Sequence, residues 1–128
     1  MESGKGWEVC KKYCTQDATF RTQASVVIGN LVENYTNFMT MTHQLMPNLY
    51  WTDLVTAYDK VTDTALFSGT LHGKHTNTPE GAPIPPPTFK SVASDFVYRI
   101  HFNAYGKIES MTKIWNFELA AKQLGWNK

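Results

Sequence analysis

The chain has 128 residues, seven of them Phe, six Tyr and four Trp, and its 12 Lys and Arg against 11 Asp and Glu leave a formal charge of +1. That length suits one domain and excludes a two-domain enzyme, and a balance with no run of either sign argues against a nucleic-acid partner. Apolar residues at 42% can build a core while charged residues at 18% fall below the usual figure of about 25%, so another subunit is expected to cover part of the surface, and the many rings must fill a core, line a cavity or form an interface.

No apolar run approaches the roughly 20 residues of a membrane span, and no apolar stretch follows Lys5 as in a secretory signal, which implies no membrane partner and a cytoplasmic location. Trp7, Cys10, Tyr13 and Cys14 recur at spacings of three and four, the apolar stripe of a short helix. Cysteines one helical turn apart meet disulfide geometry poorly, and no second pair is present for zinc, so free thiols and no metal are expected. Residues 17–20 lead into an extended stretch. Leu31, Tyr35, Phe38, Met39, Leu45 and Met46 then mark a helix over 31–46, with Asn30 as N-cap, Glu33 completing a capping box and Pro47 as the stop. Crowding of Thr, Val, Tyr and Trp after it predicts a hairpin, with strands near 49–58 and 61–75 turning at Asp59-Lys60.

Residues 76–87 hold five of the six prolines and are read as a stiff loop bordering a pocket mouth or a subunit edge. Val92, Phe96, Tyr98, Ile100 and Phe102 then alternate with polar neighbours, a strand whose even positions face inward. Ala104-Tyr105-Gly106 makes a turn, 107–115 returns as the partner strand, and 117–124 forms a helix with Asn116 as N-cap and Gly125 as C-cap. A straight strand over 88–103 would run about 53 Å, longer than a domain of about 36 Å diameter, so the sheet must bend. The chain is therefore predicted to be α+β: a cone-shaped, strongly curved antiparallel sheet with N-terminal helices closing a cavity.

The segments Phe67-Ser68-Gly69-Thr70-Leu71-His72-Gly73, Pro85-Pro86-Pro87-Thr88, Gly106-Lys107-Ile108 and Gln123-Leu124-Gly125 resemble, in order, the G-T-H-x-G, P-P-T-G-K, D-G-K-I and Q-L-G pattern of SnoaL-like members of the nuclear transport factor 2-like superfamily. The likeness spans nearly the whole chain as one domain, residues 1–128. It is nearest to an uncharacterised group with G-W-x-x-C, M-T-K-I-W-N and Q-L-G-W, here Gly6 to Cys10, Met111 to Asn116 and Gln123 to Trp126. The resemblance implies a small-molecule binding protein or a cofactor-independent enzyme performing cyclase- or isomerase-type acid–base chemistry on an apolar, carbonyl-bearing ligand. A non-catalytic dimerisation or scaffold domain is the alternative that the same superfamily supplies. The slot after Gly69-Thr70 is Leu71 where relatives often have His.

The last hairpin also resembles that of the ketosteroid isomerases, which share the fold. That comparison turns Met111, Lys113 and Trp115 toward the cavity and Thr112 and Ile114 outward. It sets Tyr98 where those enzymes carry a protonated aspartic acid, and Thr22 or Gln23 where they carry the carboxylate base, which argues against a steroid-type isomerase.

Tyr98 is thus a candidate catalytic donor to a carbonyl or enolate oxygen, or else a core tyrosine. Lys113, facing inward, needs an anionic ligand, a carboxylate such as Asp63, or a depressed pKa, unless its ammonium snorkels to the rim. Tyr35, Phe38, Met39, Phe67, Met111 and Trp115 are candidate pocket walls, with a plain core as the other reading. His72 and His75 tend to opposite faces and make a poor metal pair. His101 reads as surface or interface, His43 as solvent-facing, and Asn116 as a cap rather than a catalyst. The expected partners are a small apolar molecule and a second copy of the chain, the latter docking on the outer sheet face through Val97, Thr112 and Ile114.

Overall fold

The computed structural model describes residues 4–22 and 30–126. A short helix α1 (Trp7–Cys10) and a 3-10 turn lead into β1 (Cys14–Thr22), then α2 (Val32–Leu45), β2 (Tyr50–Asp59), β3 (Thr64–Lys74), β4 (Ser91–Phe102), β5 (Ile108–Trp115) and α3 (Phe117–Leu124). One sheet carries all five strands in the order β1-β5-β4-β3-β2. Pairing is antiparallel from β2 to β5, as the sequence suggests, but β1 lies parallel to β5, so the sheet is mixed. A parallel neighbour needs a long connection, and the whole of α2 and β2 to β4 supplies it.

In β4 the side chains of Val92, Ser94, Phe96 and Tyr98 are buried and those between them exposed, the alternation of a strand with one covered face. Curvature has local causes. The β2–β3 register shifts between Thr52 and Val55, with Asp53 in the left-handed region at φ 55°, and such a bulge bends a strand and raises its twist. Gly69 accommodates the bend, because a Cβ there would stand 2.6 Å from the Leu54 side chain and 3.1 Å from the Thr52 carbonyl oxygen. The β2–β3 connection is wider than Asp59-Lys60: the Asp59 carboxylate accepts from Val61 N–H and the Thr62 hydroxyl at 2.9 and 3.0 Å.

Two expectations at the N-terminal side are corrected. Cys14 opens β1 rather than ending a helix, although both cysteines are free and buried. Burial, with Cys10 adding to it, pushes the Cys14 thiol up to about 11, so it stays protonated at neutral pH. The N-cap of α2 is Leu31, without a side-chain cap, because the Asn30 carbonyl takes Phe20 N–H and Leu31 bridges Thr19. The chain entering α2 is thereby committed to β1 and remains extended one residue further than a capping box at Asn30 requires.

The buried face of α2 presents Val32, Tyr35, Thr36, Met39, Thr42 and Leu45 to the concave side of the sheet, where Tyr35 stacks on Phe20 with centroids 4.2 Å apart. At the other end, α3 starts and stops as its sequence dictates: Asn116 Oδ1 accepts from Leu119 N–H at 3.0 Å, and Gly125 takes φ 75°. Leu45, Met46, Val92, Ala120 and Leu124 form a second core cluster that fastens α3 to α2 and β4. Among the described residues nothing covers the middle of the convex face, where Val55, Val97 and Ile114 stand at 62%, 40% and 56% exposure along one cross-strand row through Ser68. Among the described residues no helix is long and apolar enough to cross a membrane.

Candidate functional site

Between the concave sheet face and the helices lies a cavity of about 220 Å³. Phe38, Met39, Thr42 and Leu45 line it from α2, Leu71, Val92 and Ser94 from β3 and β4, and Lys113 and Trp115 from β5. Phe117, Ala120 and Leu124 close it from α3, and Met41, Met46, Trp126 and the proline-loop residues Pro83 and Ile84 also line it. An apolar chamber with a few convergent polar groups is the usual build of a small-molecule site. Among the described residues Lys113 is the single charged side chain on this lining.

Lys113 is only 4% exposed, so snorkelling to the rim does not describe it. Asp63, the candidate counter-ion, sits in the β2–β3 turn and takes the Tyr58 hydroxyl at 2.8 Å. The Lys113 Nζ instead lies 4.4 Å from the Trp115 ring centroid, 5.2 Å from Tyr98, 5.3 Å from Tyr35 and 5.6 Å from Phe96. Ring faces at these distances attract an ammonium by about 0.5 to 2 kcal/mol each. It also donates to the Tyr35 hydroxyl at 3.3 Å, and the Tyr35 and Tyr98 hydroxyls are hydrogen-bonded to one another. Strand register assembles this group, since Phe67, Tyr98, Lys113 and Thr22 occupy one row across β3, β4, β5 and β1. Thr22 accepts from Trp115 Nε1 at 3.0 Å, which fixes the indole beside the ammonium.

Of the residues singled out from the sequence, Phe38, Met39, Lys113 and Trp115 border the cavity. Tyr35 and Tyr98, each 1% exposed, stand behind Lys113 and reach the space through its ammonium. Met111 belongs to the core cluster around them and Phe67, partly buried, packs against it, on Phe96 and Tyr98 at 5.7 and 6.2 Å; neither borders the cavity. Chemically, the arrangement presents one cationic donor, backed by two coupled phenols, to whatever oxygen a ligand brings into an apolar space. Donors fixed in such a medium stabilise developing negative charge more than they do in water. Among the described residues no group of three His, Cys, Asp or Glu is placed to hold a metal ion.

The sequence understated His75. It is fully buried, and its Nδ1 accepts from Trp126 Nε1 at 3.0 Å while Nε2 meets the Thr78 hydroxyl at 2.7 Å. An indole N–H can only donate, so Nδ1 is bare and Nε2 carries the proton; Thr78 accepts it and passes its own hydrogen to Pro85 O at 2.7 Å. Thr88 adds a bond to Leu124 O at 2.6 Å. These contacts lock the proline loop to the end of α3, where Ile84 and Trp126 meet at the cavity. Burial pushes the His75 pKa down, with the Asn77 backbone opposing. A strand ending in His ahead of a Thr- and Pro-rich loop was the available signal. His72 pairs with the Thr52 hydroxyl at 2.8 Å and stacks on Tyr50, and His101 meets Glu109 at 3.2 Å on the surface.

Neither a protein-family model nor the sequence of a curated protein matches this chain. Solved structures do. A proposed SnoaL-like polyketide cyclase from Jannaschia sp. CCS1 superposes with TM-score 0.74 at 14% identity, covering 99% of this chain and 85% of that one. IdmH, a proposed polyketide cyclase from Streptomyces antibioticus, gives 0.68 at 18% identity over 97% of this chain and 89% of its own, and a proposed isomerase from Bacillus subtilis gives 0.68 at 12% identity over 98% and 84%. The fold is thus the SnoaL-like, nuclear transport factor 2-like α+β cone. At such identities the likeness carries the fold alone, and chemistry must come from the site.

Proposed function

We propose that this protein binds a small, apolar, carbonyl-bearing molecule in the cavity above Lys113 and acts on it without a cofactor by acid–base chemistry of the cyclase or isomerase type. The observation that carries this reading is the buried Lys113 side chain at the floor of a mostly apolar chamber, backed by the Tyr35–Tyr98 hydroxyl pair. Lys113 meets the ligand oxygen directly. Its charge polarises the carbonyl oxygen, and the Tyr35 and Tyr98 hydroxyls orient it. That the similar folds include proposed polyketide cyclases and a proposed isomerase supports the reaction class. The chain further belongs, on this reading, with the uncharacterised SnoaL-like group sharing its M-T-K-I-W-N and Q-L-G-W motifs, and it works as a homodimer through the apolar row on the convex face.

Tryptophan fluorescence titrated with a panel of aryl and cyclic ketones tests the site, because Trp115 borders the cavity. A saturable change is expected for at least one ketone, and Lys113→Met should weaken it about tenfold or more, the worth of a charged hydrogen bond. Full affinity in Lys113→Met would refute the role given to the ammonium.

A further inference from the structure

We propose that the convex face of the sheet carries a second ligand site, a tetrahedral-oxoanion site built by Arg21 and Arg99. These are the only two arginines of the chain, and they come from β1 and β4. Arg21 lies opposite Thr112, and Thr112 opposite Arg99, so the three share one row across three adjacent strands. Two strand spacings of about 4.8 Å set their Cα atoms about 10 Å apart, close enough for both guanidinium groups to meet above Thr112. The neighbouring row on the same face is Thr19, Ser110 and His101. All six side chains line one concavity of about 210 Å³.

Charge points to an anion. Among the described residues neither arginine is in an ion pair, and the acid beside the concavity, Glu109, is taken by His101 at 3.2 Å. The hydroxyls of Thr19, Ser110 and Thr112 make no side-chain hydrogen bond among the described residues, which leaves three donors beside two cationic forks. Two like charges that line one concavity repel, and an anion between them removes that repulsion. The chain uses lysine for its other basic positions, while the planar guanidinium, which pairs bidentately with phosphate-type oxygens, is confined to this spot. Because alternate residues of a strand face opposite sides, this site is separated by the sheet from Tyr98 and Lys113 and does not rest on the ligand chemistry proposed for them; it lies beside the Val97–Ile114 row and requires that the proposed dimer contact leave the arginine row open. The ligand is a phosphate-type group, either the free ion or a monoester on a small molecule.

Isothermal titration of the full chain with inorganic phosphate and with phenyl phosphate, at fixed ionic strength, tests the site, since exposed charges are screened by salt. A saturable one-to-one isotherm is expected, weakened about tenfold or more in Arg21→Gln and in Arg99→Gln and less in Arg99→Lys. Tighter binding of phenyl phosphate would identify a monoester as the ligand, and equal binding the free ion. No saturable heat in the parent protein, or unchanged affinity in both Gln variants, would overturn the proposal. So would Gln variants that alter only the sedimentation coefficient, because the arginines would then meet a second subunit.

Discussion

Acidification should loosen the closure of the cavity through His75, and the size of the effect follows from its contacts. Burial depresses the folded-state pKa of this imidazole below its ordinary value of 6.5, so the native state holds it neutral while the unfolded chain protonates it more readily. The unfolded state therefore binds more protons as pH drops below 6.5. The stability contributed by the neutral ring is fully present above 6.5 and is lost as pH falls toward the folded pKa. The slope is at most about 1.4 kcal/mol per pH unit, which for a domain of this size is about 5 °C in Tm per unit. A proton on Nδ1 would also confront Trp126 Nε1–H, now 3.0 Å away, forfeiting a bond worth about 1 kcal/mol. Differential scanning fluorimetry of the parent and of His75→Gln between pH 5 and 8, the buffers being about three units wide in total, reads this directly. His75→Gln should be less stable at pH 8 by about 1 to 3 kcal/mol, because the indole N–H loses its acceptor, but its Tm should fall less steeply on acidification. The other three histidines cancel in the difference. Equal slopes for parent and variant would refute the account of His75 as a neutral lock.

Further outcomes follow from single contacts. Asn116→Ala should cost about 1 kcal/mol in urea denaturation by freeing Leu119 N–H, with no change in ligand affinity. Gly69→Ala should cost about 1 kcal/mol or more, since its Cβ would displace the exposed Leu54 side chain and stand 3.1 Å from the Thr52 carbonyl oxygen, which belongs to the backbone of β2. Ile114→Glu, on a side chain 56% exposed, should leave the monomer folded and shift sedimentation from dimer to monomer; a monomeric parent would contradict the proposed pairing. Lys113→Met should hold or raise thermal stability while ligand affinity falls, because an apolar side chain of similar length suits four surrounding rings without the desolvation of a charge.

Local patterns in this sequence specify local structure, and the parts that escape are those made by distant partners. The alternation from Val92 to Phe102 gives the inward face of β4, and the pairing of Tyr98 with Lys113 then carries the register of Lys113 and Trp115. The ends of α3 are written in Asn116 and Gly125, whose cap and φ need no tertiary help. The parallel pairing of β1 with β5 leaves no local trace, because partners so far apart in sequence share no turn. A second distant contact displaces the start of α2 past Asn30, whose carbonyl is taken by Phe20 N–H of β1 while Leu31 bridges Thr19. His75 was hidden for a related reason: its donors and acceptors come from Trp126, Thr78 and Thr88, gathered only when the loop folds back over α3. Lys113 was visible as an inward cation, whereas its four-ring surround and the Tyr35 contact required α2 to be docked. The separation of Phe67 and Met111 from the cavity lining likewise depends on which side of the inner face α2 covers.

The central claim, that the Lys113 ammonium holds the oxygen of a carbonyl ligand inside the cavity, is tested most directly by carbon-13 NMR of a bound ketone labelled at the carbonyl carbon. Hydrogen bonding from Nζ should move that resonance downfield relative to the same ketone in an apolar solvent, and Lys113→Met should abolish the displacement while Tyr98→Phe reduces it. A bound ketone whose carbonyl resonance is the same in the parent protein and in Lys113→Met would contradict the claim.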